Sequence, residues 1–207
     1  MIKKTAPSRM PHVPPAVDDD MALLLRFANT RNDRFGRSER FGDAAGLSAW
    51  LSENGFAEAA ANVTRADAAA VRELRDAVIT LLLSHSSAPH ISAQDVEDAE
   101  NLLRRMAARY PLVTIVDRTG ARLIPASGGL PGAIGRIFAA ITELALADAW
   151  HRIKACRNQG CHFAFHDHSR NSSGAFCSNV CSSQVAMRNY RQRRRAVAQT
   201  GNDSHCS

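Results

Sequence analysis

Four of the chain's five cysteines fall within 26 residues, as Cys156, Cys161, Cys177 and Cys181. Four residues separate the first pair, three separate the second, and fifteen lie between the pairs. Paired cysteines on tight turns supply the four thiolates that a tetrahedral zinc ion takes, with little cost of loop closure. All four positions are then filled by protein and none is left for an activated water, so the chemistry expected is structural. Gly160, inside the first pair, is expected to permit the sharp turn of a knuckle. Ser178 is placed to cap a helix over 182–198, whose dipole favours thiolates at its start. Two disulfides are the competing reading, disfavoured in a reducing compartment. With four cysteines available, His162, His166 and His168 are neighbours rather than ligands. Cys206, in the polar ending TGNDSHCS, is expected to be free.

The densest run of arginines follows at once. Arg188, Arg191 and Arg195 share one side of the expected helix, with Arg193 and Arg194 beside them, while Ala186, Tyr190 and Val197 make an apolar side to pack on the knuckle. Arg170 and Asn171 sit in the loop between the cysteine pairs. A guanidinium bonds phosphate or guanine bidentately, so these seven polar residues are the candidate nucleic-acid contacts. The charge distribution agrees. Residues 1–150 carry 17 Lys/Arg against 18 Asp/Glu, whereas 151–198 carry nine against one, in a chain of net +6. A near-neutral body with a cationic end is the electrostatic footprint of a nucleic-acid binder; a solvated basic tail is the plainer reading.

The elements that must position this cluster are mostly helical. Apolar residues make up 45% of the 207 and aromatics only 6%, enough for a packed core. The proline-bearing residues 1–19 read as a loose arm, without the apolar stretch of a secretory leader. Helices are expected over 21–29, from Asp43 to 54 (closed by Gly55), from a Thr64/Asp67 capping box to 83, and from Ser92/Asp95 onward. Residues 112–116 and 121–125 flank a four-residue turn and predict a β-hairpin. Pro131 opens a last body helix over 132–153, burying Ile134, Ile137, Phe138, Ile141, Leu144 and Ala145 and running straight into Cys156. The longest aliphatic stretch, 78–83, is far short of the roughly 18 residues of a membrane span. The fold class expected is mostly α with a small β-hairpin: a helical domain over 20–153, a treble-clef-like zinc module over 154–198, and a disordered tail over 199–207.

Elsewhere the chemistry is thinner. Gly128-Gly129 before Pro131 could receive an anion at a helix start, but without a phosphate-loop lysine it reads as a turn. Asn29, Arg31, Asp33 and Arg34 follow an apolar helix and are candidates to line a small-molecule pocket, a solvated loop being the alternative.

Read together, CRNQGC, FAFHDHSRN and FCSNVC, followed by the basic helix at Tyr190-Arg191, resemble the CGNR-type zinc finger that ends bacterial proteins with an ABATE domain. Asp167, Ser169, Asn171, Cys177 and Ser178 align with that finger's motif. Upstream, LLLRFANTRNDRFG and SAWL are similar to the opening of the ABATE domain, so the resemblance spans most of the chain. Two departures stand out: the signature Gly-Asn-Arg after the last cysteine is Ser182-Ser183-Gln184, and 173–176 lack the family's arginines. The resemblance implies transcription regulation in response to stress. The expectation is a cytoplasmic, non-enzymatic, zinc-dependent DNA-binding regulator, with the helical domain sensing a small-molecule effector or stress signal. A homodimer would offer paired half-sites, and no membrane partner is expected. The rival readings are an RNA- or ribosome-associated zinc protein and a protein–protein interaction module.

Overall fold

In the computed structural model, residues 15–203 are described. Helices α1 (Pro15–Ala28), α2 (Ala44–Glu53), α3 (Ala57–Ala60), α4 (Arg65–His85), α5 (Ala93–Ala107) and α6 (Gly129–Leu146) make the body. An antiparallel hairpin, β1 (Leu112–Asp117) and β2 (Gly120–Pro125), precedes α6 and packs against it. A 3-10 turn, Trp150–Arg152, leads to a second hairpin, β3 (Ile153–Ala155) and β4 (Ala164–His166), and α7 (Asn179–Asp203) follows.

Local signals placed the helix starts well. Asp43 accepts from the Gly46 N–H at 2.8 Å and caps α2. Both capping boxes form: Thr64 and Asp67 exchange bonds of 2.9 and 3.1 Å at α4, Ser92 and Asp95 bonds of 2.8 and 3.1 Å at α5. Each satisfies two amide groups that a helix start leaves without a partner. The central helix α4 buries Val71, Leu74, Val78, Ile79 and Leu82, which meet Leu24 and Phe27 of α1 and Leu47 and Trp50 of α2 in one core. Phe27, Phe41 and Trp50 pack at tilted or edge-on angles with centroids 5.5–5.8 Å apart.

Several expectations are corrected. Helix α1 begins at Pro15, inside the stretch read as an arm; residues 1–14 lie outside the described residues. The short helix α3 was not anticipated. The hairpin turn is two residues tighter than expected, because the Asp117 carboxylate accepts from the Thr119 N–H at 2.8 Å and draws Asp117 into register with Gly120. The last body helix stops at Leu146 rather than running to 153. Asp148 adopts a left-handed φ of 54°, and Ala149 bonds back to the Leu144 carbonyl at 2.8 Å. Ala145 is exposed, not buried. By length and composition α6 could cross a membrane, but Ala133, Ile134, Ile137, Ala140 and Leu144 are buried in the body, where the helix contacts α1 and α3. Helix α7 continues through the expected tail to Asp203; Cys206 lies outside the described residues.

The segment between α1 and α2 is a loop, yet a pinned one. Its Phe41 is fully buried, and its Glu39 accepts from the Arg75 guanidinium at 2.5 and 2.9 Å. Arg75, on α4, is 1% exposed and is also held by Asp76 at 3.0 Å and Thr30 at 3.3 Å. Burial opposes ionisation of Glu39, but the Arg75 bonds and the Phe41 N–H outweigh it and hold the carboxyl below its usual range. Removing one partner of a buried pair leaves the other charge uncompensated. Because Asp76 remains, Glu39→Ala is expected to cost about 2–3 kcal/mol in urea unfolding at neutral pH. The carboxyl's folded pKa is depressed, so its contribution is present above the unfolded value near 4.5 and lost as pH falls through the folded one. The gap to wild type should therefore narrow in acid. A loss under about 0.5 kcal/mol at pH 7 would show that the loop is not held by this pair.

Candidate metal centre and nucleic-acid interface

The β3–β4 turn carries Cys156 and Cys161; Cys177 lies two residues before α7, and Cys181 is in its first turn. Their four sulfurs lie within 4.8 Å of one another. Cys161 and Cys177 are 3.7 Å apart, Cys177 and Cys181 3.8 Å. Tetrahedral ligands at the usual Zn–S length of about 2.3 Å stand about 3.8 Å apart, so the spacing suits a shared ion. It is far too long for a disulfide bond of about 2 Å, and the four cysteines are free. Cys156, Cys161 and Cys181 are buried, and Phe176 packs on them.

Thiols this close do not ionise evenly by themselves. Hydrogen bonding from Cys161 pulls the Cys156 thiol down to about 5, while the same contact and burial push Cys161 far up. Burial and the Cys156 charge raise Cys177 to about 12. A divalent cation removes that conflict, and backbone N–H groups of Asn158 and Phe163 already point at the Cys156 and Cys161 sulfurs. The donor set therefore fits one structural zinc ion, bound by Cys156, Cys161, Cys177 and Cys181. His162 belongs to no such donor group. It is held neutral, its pKa lowered to about 4 by burial and then by Arg31.

Gly160 serves a purpose other than the one expected. The left-handed residue of the knuckle is His162, at φ 52°, and Gly160 needs no unusual φ. Instead the Arg34 side chain crosses its Cα so closely that an added Cβ would lie 2.8 Å from Arg34 Nε.

The second cysteine pair is positioned by the helix start. Ser178 Oγ accepts from the Cys181 N–H at 3.4 Å, consistent with its expected capping role. The buried Asn158 of the knuckle ties α7 down: it donates to Gln184 at 3.0 Å and accepts from Arg188 at 2.5 Å. The contact face of α7 is thus Gln184 and Arg188. Ala186 and Tyr190, expected to pack on the knuckle, are exposed. A 25-residue helix is about 37 Å long and outreaches so small a module, and among the described side chains those that bond to the knuckle lie in its first turns. From Asn189 to Arg195 every side chain is exposed.

The module's cations consequently divide. Lys154, 2% exposed, pairs with Asp167 at 2.7 Å and donates to the Ser172 and Gly174 carbonyls. Asp167 also accepts from the Ser169 and Gly174 N–H groups at 2.9 and 2.8 Å. Burial opposes its ionisation, yet these bonds push its pKa far below the carboxylate range. Arg152 holds the Asp167 and Ser169 carbonyls, Arg157 the Ser87 carbonyl, Arg188 Asn158. Arg170, Asn171, Arg191, Arg193, Arg194 and Arg195 remain exposed. Lys154 escaped the sequence reading because a lysine between Ile153 and Ala155 is counted as charge until its partner is located.

The loop expected to line a ligand pocket meets the knuckle instead. Asn29 bonds Ala164 of β4 twice, accepting at 2.8 Å and donating at 3.0 Å. Asp33 pairs with Arg37 at 2.8 Å, and Arg37 reaches on to the Cys161 carbonyl at 2.8 Å. The Arg34 N–H donates to the Gly160 carbonyl at 3.0 Å, and Arg31 donates to His162 Nδ1 at 3.4 Å. Arg31, Asp33 and Arg34 do line a cleft, shared with Gln159–His162 and about 270 Å³ in volume. Asn29 is committed to β4. From α4, His85 Nδ1 donates to the Ile153 carbonyl at 2.8 Å. The zinc module is docked on the body and does not hang from a linker.

Helical body, pinned loop and four-sulfur module match known families in that order. The family profile named ABATE, described as "Putative stress-induced transcription regulator", matches residues 21–150. The chain belongs to the ABATE family. The CGNR zinc finger matches residues 152–194, so the junction with the ABATE domain falls in the 3-10 turn. None of the curated proteins compared with the chain matches it. As an ABATE protein it joins an ABATE domain to a zinc finger, and Gln184, in place of the signature arginine, is used on Asn158.

Zinc measured on purified wild-type chain is expected at one per molecule. Cys181→Ser, which removes a sulfur and the link to α7, should drop it at least tenfold and lower the helical signal in circular dichroism. Full zinc retention in this variant would exclude the four-sulfur centre.

Proposed function

We propose that this ABATE protein is a zinc-dependent, DNA-binding transcription regulator that acts in the cytoplasm and is not an enzyme. The observation that carries the reading is the division of the module's cations. Those near the metal are consumed by internal bonds, whereas Arg191, Arg193, Arg194 and Arg195 stand exposed on a helix aimed by the zinc site, with Arg170 and Asn171 on the adjoining loop. Phosphate contacts by these residues supply most of the affinity, and base-edge contacts by arginine forks supply selectivity. The ABATE body receives a small-molecule or stress signal and passes it through the loop that grips the knuckle. A homodimer would present two such helices to paired half-sites.

An RNA target is less favoured because few aromatic rings are at hand for stacking: Phe163 and Tyr190 are exposed, and Arg194 lies over Tyr190 at 6.0 Å. Phe176 packs on the cysteines, and Arg37 covers Phe163 at 5.0 Å. Duplex DNA binding should weaken steeply with salt, and Arg191→Ala, Arg194→Ala and Arg195→Ala should each reduce the slope of log K against log salt by about 0.9. Gel shifts over a salt series, run in parallel with structured RNA, check this. Consistent preference for RNA would replace DNA as the target, and no salt-dependent binding to either would point to an acidic protein partner.

A further inference from the structure

A cleft lies between the loop 31–34 and the knuckle 159–162. Neither Arg31 nor Arg34 pairs with a carboxylate among the described residues. The one acid in the lining, Asp33, is spent: both its oxygens are taken by Arg37 and by the N–H groups of Phe35 and Arg37. The Arg34 guanidinium is held over the knuckle by a gap that only glycine leaves, at Gly160. His162 accepts from Arg31 at Nδ1, so its Nε2 carries the hydrogen, and that buried donor has no protein partner. Asn32 and Gln159 add amide groups. Two guanidiniums without a carboxylate partner among the described residues, an imidazole N–H and two side-chain amides able to donate make a donor-rich set.

We propose that this cleft is an oxyanion site of the phosphate class, built half by the ABATE domain and half by the zinc finger. Guanidinium forks match the oxygens of phosphate bidentately. At about 270 Å³ the cleft falls below the roughly 300–1,000 Å³ of pockets for drug-sized ligands, so it fits one oxyanion group and not a large metabolite. The group can belong to a phosphodiester of bound duplex or to a free small phosphate; the donors are the same. In either case an occupant bridges the loop and the knuckle and tightens the junction through which α7 is aimed. Only the duplex source rests on the nucleic-acid function proposed above.

The test uses the full chain loaded with zinc. Inorganic phosphate is titrated at constant ionic strength by calorimetry and by amide NMR, and duplex binding is followed over a salt series. Wild type, Arg31→Ala, Arg34→Ala, Gly160→Ala and the Arg34→Ala/Gly160→Ala pair are compared, with zinc content and circular dichroism as controls on folding. Saturable phosphate binding that shifts the Gly160 and His162 amides, weakened at least tenfold in Arg34→Ala and with unchanged duplex slopes, assigns a free small oxyanion. Unsaturable free phosphate with a salt slope lower by about one in Arg31→Ala or Arg34→Ala assigns a duplex phosphate. In both cases Gly160→Ala should add nothing to Arg34→Ala, since the glycine acts through that side chain. The proposal is overturned if both arginine variants equal wild type in both assays. It is equally overturned if they change only zinc retention, which would make them counter-ions to the thiolates. If wild type binds no duplex at all, the regulator reading fails while the phosphate titration still decides the cleft.

Discussion

Four sulfurs held within 4.8 Å of one another form an electrostatic problem that the fold cannot solve from its own atoms. Ionising all four concentrates negative charge in a buried spot, and leaving them protonated wastes the N–H groups that point at them. A divalent cation resolves both difficulties and converts two chain segments, separated by fifteen residues, into one rigid corner. Core packing fixes Ile153, Ala155 and Ala164 at the base of the β3–β4 knuckle, but around the cysteines themselves the only apolar cover among the described residues is Phe176, so the shape of the turn rests on the shared ion. The orientation of α7 follows, since Cys177 lies just before it, Cys181 sits in its first turn, and Gln184 and Arg188 in the turns that follow are tied to Asn158.

The corner is not free to swing. Arg75, buried in α4, holds Glu39; Phe41 anchors the same loop in the core; Asp33, Arg37 and Asn29 carry that anchoring across to Cys161 and Ala164. Charge-assisted bonds of this kind contribute about 1.5–3 kcal/mol each when well formed. Packing of β3 on α4 adds apolar contact through Ile153 and Ala155, both fully buried. A change at the loop is therefore felt at the knuckle through bonds, without an intervening linker. That continuity makes a helical domain capable of influencing a metal site it does not ligate.

Charge in this protein is allocated rather than merely accumulated. Nine Lys/Arg over 151–198 look like one basic patch in the sequence. In space, Lys154, Arg152, Arg157 and Arg188 stabilise carbonyls, a carboxylate and an amide inside the module, while the arginines beyond Asn189 remain in solvent. The departures from the finger's usual signature fit this allocation. Gln184 keeps a polar bond to the knuckle, so the corner survives without the arginine that normally follows the last cysteine.

Signals that act over three or four residues were legible from the amino-acid order alone. The Thr64/Asp67 and Ser92/Asp95 boxes, the Asp43 cap, the β1–β2 hairpin and the spacing of Cys156, Cys161, Cys177 and Cys181 each depend on near neighbours, and each appears as read except that the hairpin turn is tighter. The seams required the tertiary structure. The role of Gly160 depends on Arg34, more than a hundred positions away. Likewise Lys154 is a surface charge until Asp167 and two carbonyls close around it, and the loop 29–37 is a solvated turn until the knuckle arrives. Periodicity and capping report what a segment prefers within itself; they carry no information on which distant side chain will fill the space beside it, and that decided which of these residues are structural and which remain free to bind.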